Sequence, residues 1–351
     1  MDTPRIKISG RLVGGGCPCY VVAEIGINHN GDMELARRAI EAANRAGADA
    51  VKFQNYRTED FISDCELTYA YRSQGREVVE SQFDMFKRYE LNPEDLSMLK
   101  QHCDHSGIDF HSTPTGPDGL RDLLDLGVGV LKNGSDFLGN TELVRAMGES
   151  GLPVVLSTGM ATEDEIAVAV RVLNGTGNTQ FVLLHCVSNY PAGAEDMNLR
   201  RMTSLRERFG CMVGFSDHSR GPSAALGAVA MGAVWIEKHF TLDHDLPGPD
   251  HWFSCDEEEF SELVQTVRRM EVLLGSPKIE PSPSEKASRQ MARLSCAAAR
   301  PLKEGTILTR EDIIFCRPGT GLAPDQSKDL VGGRLNCDIP RNHMFKEEDI
   351  A

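Results

Sequence analysis

Eight short apolar or β-branched runs, nearly all separated by helical patterns, constrain this chain more than any other feature. They are YVVAEIG (20–26), ADAVKFQ (48–54), IDFHSTP (108–114), VGVLKN (128–133), PVVLSTG (153–159), FVLLHCVS (181–188), MVGFSDH (212–218) and VWIEKHF (234–240). Amphipathic stretches such as MELARRAIEAANRAG and ATEDEIAVAVRVLNG lie between them, and DEEEFSELVQTVRRMEVLLG follows the last. Strand and helix alternating eight times predict a parallel sheet closed into an α/β (β/α)8 TIM barrel over residues 1–275. A doubly wound open sheet competes, but no run is followed by the G-x-G-x-x-G of its phosphate turn. The segment 55–91 exceeds a plain βα connection and carries aromatics and charges, which predicts a lid or an oligomer contact.

At 351 residues the chain is longer than one core usually holds. SPKIEPSPSEK opens an expected linker at 276–288, and residues 289–351 form a second, small, mostly β domain. That tail repeats itself weakly: LKEGTILTREDI (302–313) and IPRNHMFKEEDI (339–350) stand 37 residues apart. So short a module has little core and is expected to lean on its own barrel or on a partner subunit.

Thirty-seven Lys and Arg against 52 Asp and Glu give a net charge of −15. An acidic surface argues against nucleic acid and anionic membranes as partners, while a small anionic substrate needs its own cluster of cations. No apolar run reaches the ~20 residues of a membrane span, and MDTPRIKISG lacks the apolar stretch of a secretory signal. Ten cysteines without framework or metal spacing, the closest pair being Cys17 and Cys19, predict a reduced, cytoplasmic protein.

Barrel chemistry gathers at the C-terminal ends of the strands. Those ends supply Glu24, Lys52 with Gln54, Ser112 with Thr113, Lys132, Ser157, His185, Ser216 with His218, and Glu237 with His239. Residues two apart share a face, so the last two pairs and Lys52 with Gln54 point the same way. His218 and His239 end adjacent strands about 4.8 Å apart and are placed to share one divalent ion: Mn²⁺, Co²⁺ or Mg²⁺ rather than structural zinc. A hydrogen-bonded core role is the alternative for either alone. Lys52 and Lys132 among Thr113, Ser135, Ser157 and Ser216 describe a phosphate or carboxylate pocket, although a strand-end lysine also suits a Schiff base or a structural ion pair. Glu24 and Glu237 serve either proton transfer and metal-bound water or as partners of the lysines. Asp250, in LPGPDHWF, sits above the mouth or simply turns the loop.

AEIGINHNGD (23–32), AVKFQ (50–54), LSTGM (156–160), GFSDH (214–218), IEKHFTLD (236–243) and GPDH (248–251) together resemble the sialic acid synthase family, which makes N-acetylneuraminate, legionaminate and pseudaminate. ARLSCAAARPLKEGTILTREDI and CRPGTGL resemble the antifreeze-like SAF (β-clip) domain of those enzymes. The resemblance implies metal-dependent condensation of phosphoenolpyruvate with an N-acetylated hexose, phosphate leaving by C–O cleavage. By motif position it implies His218 and His239 as metal ligands, and Lys52, Thr113, Lys132, Ser135, Ser157 and Ser216 as phosphoenolpyruvate contacts. It likewise makes Glu24 and Glu237 acid/base carboxylates, and gives Gln54, Tyr190 and Asp250 to the sugar. Arg317 matches an arginine that reaches a partner's barrel, implying a domain-swapped homodimer. Departures fall near the sugar: relatives' K-I-G-S-G-E is Lys132-Asn133-Gly134-Ser135-Asp136-Phe137, the Phe after S-T-P is Thr115, and Ser188 or Asn189 stands for a phosphate-binding Asn. A Schiff-base aldolase and a non-enzymatic carbohydrate-binding protein are the competing functions.

Overall fold

The computed structural model describes residues 4–351. The eight parallel strands are β1 (Tyr20–Gly26), β2 (Ala50–Asn55), β3 (Asp109–Pro114), β4 (Leu131–Asn133), β5 (Val154–Ser157), β6 (Phe181–Cys186), β7 (Met212–Asp217) and β8 (Trp235–His239). Their ladders run β3-β2-β1-β8-β7-β6-β5-β4, and β3 packs beside β4 where the ring closes. The strands are buried on both faces, as a ring filled inside and jacketed by helices requires. Val21, Phe53, Phe110, Leu156, Leu183 and Phe215 face the helices, while Tyr20, Val22, Val155, Leu184 and Trp235 fill the interior.

Helices begin where the sequence supplies caps. Asp32, Asn92, Thr162 and Asp256 accept backbone N–H groups at the starts of Met33–Arg45, Pro93–Ser106, Glu163–Gly175 and Glu257–Leu274. Gly107 ends Pro93–Ser106 in the left-handed conformation that a side chain disfavours. Two hairpins lie outside the eightfold pattern. Arg5–Ile8 pairs with Arg11–Gly14, and Ile6, Ile8 and Val13 join the interior cluster, so this hairpin plugs the N-terminal end of the barrel. Within the long insertion, Thr68–Ser73 pairs with Arg76–Ser81. Its base rests on Ile27, Tyr56, Met85 and Tyr89.

The chain divides into compact units meeting at Gly275 and Ser276. The 276–288 segment is therefore part of the second unit, where Pro283–Glu285 forms a 3-10 turn and Lys286–Ala292 a short helix. Strands Ser295–Ala298 and Ile313–Cys316 pair antiparallel around Cys296, Leu308, Ile313, Leu335, Ile339 and Phe345. The internal repeat becomes a pseudo-twofold: Leu302 and Ile339, equivalent in the two copies, exchange both backbone hydrogen bonds at 2.8 Å. Each copy ends in a matching 3-10 turn, Arg310–Asp312 and Glu347–Asp349.

Candidate active site

The interior-facing side chains at the strand ends form one cluster. Lys52 Nζ lies 2.7 Å from Glu24 Oε2 and 3.7 Å from Glu237 Oε1, and donates to Thr113 Oγ1 at 3.1 Å. Lys132 Nζ donates to Ser157 Oγ at 2.8 Å and to the Asn133 carbonyl at 3.0 Å, with Glu237 Oε1 at 3.7 Å. Ser216 Oγ donates to Glu237 Oε1 at 3.2 Å, and Gln54 Nε2 to Glu24 Oε1 at 3.3 Å. Two ammoniums and two carboxylates thus neutralise one another inside an acidic protein.

Their environments differ. Burial pushes the Glu24 carboxyl up, with Lys52 opposing and Glu237 adding to the rise. Burial acts on Glu237 too, but Lys132 and Lys52 outweigh it and hold that carboxyl below the usual range. Burial pulls Lys132 down, whereas at Lys52 the charges of Glu237 and Glu24 overcome burial and raise it.

Just beyond β5 two hydroxyls converge on a glycine. Gly159 N–H donates to Ser135 Oγ at 3.0 Å. A Cβ at Gly159 would stand 2.3 Å from Ser188 Oγ and 2.7 Å from Ser135 Oγ, so only glycine lets both approach. Hydroxyls at the ends of β4, β5 and β6, together with the ammonium that Lys132 brings to Ser157, are the donor types of an anion site.

The imidazoles of His218 and His239 have ring centroids 5.5 Å apart, a span two nitrogens can bridge through one ion with bonds of about 2.1 Å. His218 Nδ1 lies 2.7 Å from the Val187 carbonyl, a contact that fixes the proton there and leaves Nε2 with a lone pair. His239 Nδ1 is buried without a hydrogen-bond partner, as is Glu237 Oε2. Burial, with His218 next, pulls His239 well below the usual imidazole range and keeps it neutral. Burial opposes the charged form of His218, but Cys186, the Val187 carbonyl and Glu237 outweigh it and raise that imidazole. His218 therefore has to give up a proton to bind metal; a nitrogen from each ring, with orphaned polar atoms and carboxylates around them, then fits a divalent cation. Asp250 Oδ2 is 3.9 Å from His239 Nδ1, and burial pushes its carboxyl up to about 7, Glu24 adding and His218 opposing. Tyr190 covers the pair, its ring centroid 4.1 Å from that of His218. Among the described residues the one group of three clustered donors is elsewhere: His244, Asp256 and Glu259 at the surface, the last two already engaged as a helix cap.

Two expectations change. His185 does not face the mouth; it points outward, its Nε2 2.6 Å from the Met197 carbonyl and its ring stacked on Phe215. Ser112 also points outward, to Asn55. Strand alternation explains both, since Cys186 and Thr113 hold the inward phase. Cys186 Sγ is 3.7 Å from His218 Nδ1, and counting back by two from Ser188 finds it. Its thiol is buried, which raises the pKa, but His218 outweighs burial and draws it down.

The insertion hairpin stands over this mouth. Gln74 Nε2 donates to the Asp245 carbonyl at 3.0 Å and Ser73 Oγ accepts from Gly248 N at 3.0 Å, tying the hairpin to the loop that carries Asp250. Between them a cavity of about 390 Å³ is lined by Tyr69, Tyr71, Arg72, Tyr190, Trp252 and Phe253. Arg317 belongs to the second unit, exposed just after Ile313–Cys316, and makes no ion pair among the described residues.

With this constellation described, likeness to known proteins becomes decisive. Residues 39–279 match the NeuB family, and residues 295–351 match the SAF domain. The chain belongs to the NeuB family. It is 39% identical over 338 residues to an N,N'-diacetyllegionaminic acid synthase of Legionella pneumophila, covering 95% of each chain. It is 33% identical to the human N-acetylneuraminate-9-phosphate synthase, covering 97% of this chain and 94% of that one. A crystal structure of N-acetylneuraminic acid synthetase from Leptospira borgpetersenii superposes with a TM-score of 0.74 at 35% identity, covering 82% of this chain and 95% of that one. As a NeuB-family member the protein is an enzyme, a condensing transferase of the sialic acid synthase type. Among its described residues no helix is long and apolar enough to cross a membrane.

Proposed function

We propose that the protein condenses phosphoenolpyruvate with an N-acetylated hexose to give a nonulosonic acid and phosphate, using a divalent ion, Mn²⁺ foremost. The observation that carries this reading is the convergence of Lys52 and Lys132, held by the Thr113 and Ser157 hydroxyls and by Glu237, with two imidazoles whose ring centroids lie 5.5 Å apart.

Lys52 and Lys132, with Thr113, Ser157, Ser135, Ser188 and Ser216, grip the phosphate and carboxylate of phosphoenolpyruvate and fix its C3 toward the sugar. Gln54, Tyr190 and Asp250 seat the open-chain sugar so that C3 attacks its C1 aldehyde, whose oxygen takes a proton and becomes a hydroxyl. Water then adds at C2; the C2–O bond to phosphorus breaks, phosphate leaves with the bridging oxygen, and the remaining C2 hydroxyl loses its proton to give the ketone. His218 and His239 would hold the divalent ion, which when bound would supply Lewis acidity at the aldehyde oxygen and for the attacking water. Glu24, hydrogen-bonded to Gln54, and Glu237, hydrogen-bonded to Ser216, stand ready to exchange protons at those oxygens. Arg317 of a second copy completes the cation set in a homodimer, so removing residues 276–351 is expected to abolish turnover. The enzyme works in the reducing cytoplasm, in line with ten free cysteines.

The test is phosphate release from phosphoenolpyruvate against a panel of N-acetylated hexoses, with and without Mn²⁺. Release that requires both sugar and metal supports the proposal; none with any acceptor refutes it. A Schiff-base aldolase is the second reading, favoured by the lowered Lys132. Borohydride trapping a covalent adduct, with activity surviving a chelator, would establish it instead.

A further inference from the structure

Outward-facing strand-end residues form their own polar ring beneath the loops. Asn55 donates to the Gly119 carbonyl at 2.8 Å, Asn133 to the Phe137 carbonyl at 3.3 Å and Thr158 to the Leu184 carbonyl at 2.9 Å; His185 meets Met197 at 2.6 Å. Each of these is a neutral hydrogen bond from a strand end to a backbone carbonyl. On β7 and β8 the ring turns ionic. Asp217 and Lys238 face each other across the ladder, and Lys238 Nζ lies 2.8 Å from Asp217 Oδ2. Their side chains are 0% and 3% exposed, so water screens neither.

A buried ion pair is an inefficient way to stabilise a barrel, because desolvation cancels much of the attraction and apolar residues of similar volume do as well. What this pair does supply is geometry. Lys238 Nζ also donates to the Ser219 carbonyl at 2.6 Å. Asp217 Oδ1 accepts from both the N–H and the hydroxyl of Ser219, at 2.8 and 2.6 Å. The residues before and after His218 are therefore both bound to Lys238, which is itself the residue before His239. One three-residue network fixes the backbone on either side of one imidazole and at the root of the other, across two strands. Strand alternation sends Asp217 and Lys238 out and His218 and His239 in.

We infer that Asp217, Lys238 and Ser219 are positioning residues that set the separation of the His218 and His239 imidazoles. This rests on the metal reading above, taken one layer further from the ion. Groups hydrogen-bonded directly to metal ligands typically change metal affinity by about 10- to 100-fold, which sets the scale for a network that holds the backbone of both ligands. Lys52 and Lys132 make no hydrogen bond to any of the three, so the cations that grip phosphoenolpyruvate lie outside the network.

The test uses the full-length protein carrying Asp217→Asn with Lys238→Met, a pair that keeps side-chain volume while removing both charges. The measurements are Mn²⁺ binding by electron paramagnetic resonance, kcat and KM for phosphoenolpyruvate, and thermal unfolding. The expected result is Mn²⁺ binding weakened about 10- to 100-fold and a comparable fall in kcat, with KM for phosphoenolpyruvate unchanged and the unfolding temperature close to wild type. A purely structural pair would lower the unfolding temperature and leave Mn²⁺ affinity and kcat per folded molecule intact, which overturns the inference. Should the double variant not fold, Ser219→Ala removes one donor at 2.6 Å from a partly exposed site, and an about three- to tenfold loss of Mn²⁺ affinity is expected; no loss refutes. If wild-type protein binds no Mn²⁺, the metal reading falls by itself, and the network is judged by kcat alone, an unchanged value refuting it.

Discussion

Replacing Lys132 by Met probes the anion pocket where the structure makes the numbers simplest. Lys132 is 2% exposed, and its Nζ stands 3.7 Å from Glu237 Oε1, as does that of Lys52. At an effective dielectric of about 20, each such pair attracts by roughly 4.5 kcal/mol. In the wild type the two lysines and two glutamates sum to zero charge; without Lys132 the cluster carries −1 and repels an incoming phosphate. Losing a cation at about 4 Å from the ligand is worth about 4 kcal/mol, close to 1000-fold in affinity. The fold should survive. Methionine fills the stem's volume, Lys132 no longer bears its desolvation, and Glu237 retains Lys52 and Ser216. That spares the variant the 3–5 kcal/mol, roughly, of a stranded buried charge. Calorimetric titration of phosphoenolpyruvate, paired with thermal unfolding, is the assay. Affinity 100- to 1000-fold weaker, with an unfolding shift of a few degrees, is expected. Binding within about threefold of wild type refutes the assignment of this lysine to the substrate.

Three further outcomes are expected. His239→Ala lowers Mn²⁺ affinity by more than about 100-fold while circular dichroism stays that of a folded barrel; retained metal-dependent turnover excludes the ligand role. Gly159→Ala drives a Cβ against Ser188 Oγ and Ser135 Oγ, costs about 1–3 kcal/mol of local displacement, and raises KM for phosphoenolpyruvate about tenfold or more; an unchanged KM breaks the link between those hydroxyls and the anion. His29→Asn tests acid sensitivity. Burial, with His251 adding, lowers His29 to about 4, below the ~6.5 of an unfolded imidazole. The unfolded chain then binds the extra proton, so stability present above pH 6.5 is lost as pH falls toward 4, at about 1.4 kcal/mol per pH unit. The variant's stability-against-pH slope, from urea midpoints between pH 6 and 4.5, should be shallower by that amount, and an identical slope counts against it.

The regular parts of the fold are legible because their periodicity is strong. YVVAEIG is a β-rich run bounded by glycine and is a strand over those same residues, Tyr20–Gly26. VGVLKN is less sharply bounded, and the strand is only Leu131–Asn133. The N-terminal hairpin escapes because two four-residue strands offer too little alternation to register. Within the site, the expected inward residues do meet: Lys52 reaches Glu24 and Glu237 on neighbouring positions of the ring, and Ser216 lies 3.4 Å from His218 two residues on. Polarity without phase misleads at β6, placing His185 at the mouth in the position that Cys186 holds. The Asp217–Lys238–Ser219 network escapes for a related reason: outward positions of a barrel strand are expected to be apolar, and partners 21 residues apart leave no local signature.

The central claim, joining of phosphoenolpyruvate to a sugar with loss of phosphate at carbon, is tested most directly by an isotope. Phosphoenolpyruvate labelled with ¹⁸O in the bridge between C2 and phosphorus is turned over with Mn²⁺ and an accepted N-acetylated hexose, and both products are weighed by mass spectrometry. The account predicts the label in inorganic phosphate and an unlabelled nonulosonic acid formed in equal amount. Label retained in the sugar acid, or phosphate formed without a new sugar acid, contradicts it.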